Sequence, residues 1–119
     1  MYFSYNSRIS ANLKIWTAGI KAPDVIEELD GFEKDNLSRL KVYATLHTFS
    51  DPNIFAFGDC AHCQLDAKKT PLGARAQVAS QQAEFLAQSL ECRLKNKPLT
   101  LFKFSDKGSI ISLSQDNAI

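Results

Sequence analysis

Seven apolar residues fall on one line through the second half of the chain. Leu72, Ala76, Ala79, Ala83, Leu86, Leu90 and Leu94 recur at spacings of three and four. At 3.6 residues per turn these positions share a face, so the spacing predicts one long amphipathic helix with a single core-facing stripe. Thr70 is placed to cap it and Pro71 suits the first helical position. Arg93, Lys95 and Lys97 fall in its last turn, where cations suit the helix dipole, and Pro98 stops it.

Ahead of this helix lies a short apolar run, Ile54, Phe55, Ala56 and Phe57, entered through the turn signature Asp51-Pro52-Asn53. It reads as a buried β-strand. It stops at Gly58, where backbone can approach a ligand closely, and Asp59 follows at once. In open α/β sheets ligands sit beyond the carboxyl ends of strands, which makes Asp59 a candidate ligand-binding carboxylate. Upstream, residues 10–17 read as a strand ending at Gly19. Pro23 and Asp24 open a short helix over 25–29, and 30–38 is a polar loop. Residues 39–49 alternate apolar and polar, the period of a half-buried strand with a bend. Beyond the long helix, residues 99–113 hold two β-rich runs around Asp106-Lys107-Gly108, a hairpin signal. The fold class is α/β.

With 119 residues, the chain has the length of one domain or of a piece of a larger one. A net charge of +1 gives no electrostatic case for nucleic acid. No apolar run approaches the roughly 20 residues of a membrane-spanning helix. The first residues lack the basic start and apolar core of a secretory signal. Three cysteines, an odd number, fit a reducing compartment, so a cytoplasmic location is expected. Cys60 and Cys63 form a C-x-x-C, which raises a zinc or dithiol reading. Only Cys92, His47 and His62 remain as further ligands, with no second pair at metal-binding spacing. A loop, not a helix, is expected to follow. The favoured reading is therefore a buried Cys60, a loop Cys63 and a loop His62, with no metal site. Trp16 and the eight phenylalanines are assigned to packing.

Four blocks of residues, in this order, resemble the type II NADH:quinone oxidoreductases, single-subunit flavoenzymes of the pyridine nucleotide-disulfide oxidoreductase superfamily. They are residues 16–23, from Trp16 to Pro23; residues 54–61 with Cys63; residues 75–82, which contain Ala76-Gln77-x-x-x-Gln81; and residues 97–113. The resemblance implies the returning part of a Rossmann-like FAD domain, a parallel strand plus the long helix, with the start of a carboxyl-terminal β-hairpin element at 99–113. It implies FAD held by Gly58, Asp59, Ala76 and Gln77, and a quinone met by Gln77 and Gln81. Gln82 would point elsewhere. The helix's first turn, near 73–77, would direct unpaired N–H groups at the flavin's pyrimidine edge and favour its reduced, anionic form. No residue of this chain is implied as catalytic.

The departures are as informative. Neither G-x-G-x-x-G loop of such enzymes occurs, the five glycines lying far apart. Residues 1–119 are thus expected to be a single carboxyl-side fragment, unable to turn over alone, whose partners are the missing amino-terminal FAD and NADH domains. The implied parent passes electrons from NADH through FAD to a membrane quinone and lies peripherally on the cytoplasmic face of the inner membrane. Without its neighbours the strand at 54–57 has unpaired edges, which invites homo-oligomers by strand exchange. Two other readings stay open: a sulfide:quinone or ferredoxin reductase of the same superfamily, and a non-enzymatic binding or assembly module.

Overall fold

The computed structural model describes residues 20–65 and 71–108. Elements in order are helix α1 (Asp24–Glu27), strand β1 (Leu40–Val42), a 3-10 turn (Gly58–Cys60), strand β2 (Ala61–Cys63) and helix α2 (Ala76–Leu94). β1 and β2 run parallel, with Leu40 opposite Ala61 and Val42 opposite Cys63. The chain is α/β, a parallel strand pair with one long helix. The strand expected at 10–17, the Thr70 cap and the second hairpin run beyond residue 108 lie outside the described residues.

The parallel pair is not where the apolar run suggests. Residues 39–49 fold back on themselves after β1: the Leu46 amide donates to the Tyr43 carbonyl (2.8 Å), and Phe49 N donates to Lys41 O (3.1 Å). Leu46 sits at φ 66°, in the left-handed region, and is fully buried. The expected strand with a bend is thus a three-residue strand, a tight turn and a returning arm. Residues 54–57 lie against that arm, with Thr48 N bonded to Ile54 O (2.8 Å) and Ala56 N to Leu46 O (3.1 Å). Only Phe55 forms a bridge, to His47. Ile54 and Phe57 are 39% and 43% exposed, so this run is not the buried strand expected from its composition. Among the described residues its pairing with the returning arm amounts to that single bridge, and a ladder needs consecutive ones. The parallel partner of β1 is instead β2, where a loop was expected.

The core is built from Leu40, Val42, Leu46, Ala56, Ala61, Cys63, Leu86 and Phe102. Phe102 reaches it from beyond α2, its amide bonded to Ala44 O (2.7 Å) and its ring 5.5 Å from that of Phe85. Leu101 is exposed and Phe102 buried, so the tail keeps its alternation although residues 101–108 form no strand. On α2 the buried line is Val78, Gln82, Leu86 and Ser89. The sequence stripe is therefore rotated, with Leu90 40% and Leu94 85% exposed. Contact with the 3-10 turn, not apolarity alone, decides which face is buried, and the last turns of α2 extend past the core.

A polar cluster joins the 30–38 loop to β2. Asp35 Oδ1 accepts from the amides of Leu37 and Arg39 (2.9 Å each). Asp35 Oδ2 accepts from Arg39 Nε (2.8 Å) and Nη2 (2.6 Å) and from His62 Nδ1 (2.9 Å). An ionised carboxylate only accepts, so the Nδ1 proton of His62 points at it. His62, expected in a loop, is a half-buried residue of β2. Burial would raise the Asp35 carboxyl, but the Arg39, His62 and backbone hydrogen bonds outweigh it and hold the group well below the usual carboxylate range. A depressed folded-state pKa stabilises at pH above the unfolded value and is lost as pH falls through the folded one. Urea midpoints should therefore stay level from neutrality to about pH 5 and fall below about pH 4, and Asp35→Asn should flatten that acid limb.

Candidate functional site

The 3-10 turn rests on α2 through its smallest residue. Gly58 has φ +61°, and a Cβ there would come within 3.2 Å of the Ala79 Cβ. Its amide donates to Gln82 Oε1 at 2.7 Å. Gln82 is 1% exposed and also hydrogen-bonds the Cys63 side chain. One buried amide thus ties the turn to the helix, and with it the strand that follows. Sequence reasoning only set Gln82 apart from Gln77 and Gln81. The available signal was its register, four residues from both Val78 and Leu86, at an otherwise apolar level of the helix.

This docking leaves a cleft of about 710 Å³ between the turn and the start of α2. Gly58, Asp59, Ala76 and Ala79 line it, together with Ile54 and Phe57. The walls are apolar, and Asp59 is the one charged side chain lining it among the described residues. Its carboxylate has no hydrogen-bond or ion-pair partner among them. Three of the expected flavin-binding residues, Gly58, Asp59 and Ala76, therefore meet on one cavity. The apolar faces of Ile54 and Phe57 suit a flat ring system and the lone carboxylate suits hydroxyl donors, so these residues fit one side of an FAD site.

Helix α2 starts later than its sequence signals suggest. Leu72 N bonds to Cys63 O (3.0 Å), which ties residue 72 to the end of β2, and Pro71 is not helical. Arg75 is extended at the N-cap, and Val78 N and Ala79 N both bond to its carbonyl. Among the described residues no side chain caps this end, which leaves its first N–H groups without a capping acceptor there.

Gln77 and Gln81 share a face, as their spacing requires, but they lie outside the cleft lining. Both amides bond to residues 105–108. Gln81 Nε2 donates to Ser105 O (2.9 Å), and Gln77 Nε2 donates to Gly108 O (2.8 Å). Asp106, read from sequence only as a turn residue, accepts from Gly108 N (2.9 Å), Arg75 Nη1 (3.3 Å) and Gln77 Nε2 (3.3 Å). The Gly108 amide first, then Arg75 and Gln77, lower its carboxyl below the ordinary value.

The cysteines are reversed from expectation. Cys63 is 1% exposed in β2, while Cys60 is half-buried in the turn and lines the cleft. Burial pushes the Cys63 thiol up to about 11, which leaves it protonated and a poor nucleophile. Both are free thiols, and among the described residues no cluster of three or more metal-ligating side chains occurs.

A profile of the pyridine nucleotide-disulphide oxidoreductases matches residues 3–83, which include the turn, Asp59 and the first turns of α2. The chain belongs to that family. Within it, the chain is 42% identical over 112 residues to a type II NADH:quinone oxidoreductase of Haemophilus influenzae, covering 93% of this chain and 25% of that protein. Proteins of the same name from Staphylococcus saprophyticus and Staphylococcus aureus are 29% and 28% identical, each over 94% of this chain and 27% of theirs. The chain thus spans about a quarter of the length of these relatives. The family's parallel α/β architecture is carried here by β1, β2 and α2.

If Gln82 is the tie between turn and helix, Gln82→Leu should leave the Gly58 amide without its acceptor. A loss of about 1–3 kcal/mol in urea unfolding is expected, with faster hydrogen exchange at Gly58.

Proposed function

We propose that this chain forms the carboxyl-side wall of the FAD site in a type II NADH:quinone oxidoreductase. The observation that carries the reading is the meeting of Gly58, Asp59 and Ala76 on one apolar cleft, with a carboxylate that has no partner among the described residues. Asp59 accepts hydrogen bonds from sugar-alcohol hydroxyls, Gly58 lets the backbone come close, and the uncapped start of α2 favours negative charge nearby. Ile54 and Phe57 exclude water from that wall. FAD, when bound, supplies the hydride and electron chemistry. Gln77 and Gln81 form the quinone-facing edge, one helical face away from the cleft.

The parent enzyme passes electrons from NADH to a membrane quinone and sits peripherally on the cytoplasmic face of the inner membrane. Among the described residues no helix is long and apolar enough to cross a membrane. The isolated chain is inactive, because it lacks both Gly-rich dinucleotide loops. A sulfide:quinone reductase finds less support, since Cys63 is buried and protonated.

In the full-length flavoprotein, Asp59→Ala should weaken FAD binding by at least about tenfold, the loss of a charge-assisted hydrogen bond. Flavin absorbance fully retained after desalting would contradict this. For the isolated chain, the exposed edge of 54–57 supports strand exchange between copies, and a stable monomer by light scattering would count against it.

A further inference from the structure

We propose that Asp106 is a positioning residue for the quinone-facing edge: it pins residues 105–108 across the first turns of α2, so that Gln77 serves as a clamp. This rests on the flavoenzyme reading above.

A glutamine side chain has two N–H donors and one carbonyl acceptor. Gln77 donates both hydrogens, to Asp106 Oδ1 (3.3 Å) and Gly108 O (2.8 Å), and accepts from Lys107 N (3.2 Å). It has no hydrogen left for a ligand. Gln81 donates to Ser105 O (2.9 Å) and accepts from Ser105 N (3.0 Å), which leaves one hydrogen without a partner among the described residues. The two amides are thus unequal, although their spacing makes them look alike.

Asp106 is the group that makes them so. Its Oδ1 closes the turn by accepting from Gly108 N (2.9 Å), which holds Gly108 at φ +82° with its carbonyl toward Gln77. The same oxygen takes one Gln77 hydrogen, and Oδ2 takes Arg75 Nη1 (3.3 Å). Arg75 in turn lies 5.1 Å over the Phe104 ring. Each contact is exposed and individually weak, but all converge on one carboxylate, and a shared network loses its parts together. Without Asp106 the turn opens, Gln77 is released, and the spacing between the 105–108 backbone and Gln81 is no longer set.

The test uses the full-length flavoprotein assayed with a short-chain benzoquinone. Asp106→Ala should raise KM for the quinone about fivefold, with KM for NADH and the flavin spectrum unchanged, the size expected for losing one net hydrogen bond. Asp106→Asn keeps an acceptor oxygen for Gly108 and Gln77 and should hold KM for the quinone near the wild-type value. If Asp106→Ala does not accumulate as a flavoprotein, Gln77→Glu opens the clamp from the helix side and should give the same quinone-selective change. Equal shifts in both KM values, no shift, or Asn behaving as Ala would overturn the inference alone. A full-length wild-type protein that binds no flavin would overturn the reading beneath it as well.

Discussion

The arrangement depends on one hydrogen bond between elements distant in sequence. The amide of Gly58 must find an acceptor, because the turn presses it against α2, and Gln82 supplies it from within the helix. That contact fixes which face of α2 is buried, since Gln82 drags its own register line inward. It also fixes where β2 begins, directly after the turn and in line with β1. The cleft is what remains between a turn held at this distance and the uncapped helix start.

Two aspartates show how the same side chain takes opposite parts. Asp35 is saturated by Arg39, His62 and two amides, and it binds a loop to the sheet. Asp59 has no partner among the described residues and faces an apolar cavity. A carboxylate left that way awaits donors, whereas one fully bonded has its role within the fold. Sequence position separates them poorly, because each follows or sits in a turn. Partners separate them at once.

Much of the site was legible in the residues, and the reasons for the misses are physical. The helix and the place of Gly58-Asp59 directly after the 54–57 run follow from periodicity and turn chemistry, which are local, although α2 ends at Leu94, before the stop expected at Pro98. The family blocks placed Ala76 and Gln77 near that acid, and Ala76 lies on the same cleft as Asp59. The run at 54–57 departs from its composition because apolarity reports a preference for burial, while a strand also needs consecutive backbone pairs with a neighbour, and only Phe55 has one. Cys60 and Cys63 were exchanged because burial inside a short strand follows the pleat, and the strand itself was not foreseen. The roles of Gln82 and Asp106 are long-range hydrogen bonds, which no spacing rule encodes.

Leu46 shows how tightly the hairpin after β1 is constrained. Its backbone lies where glycine is at ease, while its side chain fills space that glycine would leave empty. Relieving the torsion opens a hole, and a β-branched residue would fill the hole at greater torsional cost. Asparagine tolerates the torsion but would carry an amide into an apolar interior. The site therefore has no comfortable substitute, and the turn that presents residues 54–57 to the cleft rests on a compromise that only a long, unbranched-at-Cβ hydrocarbon can hold.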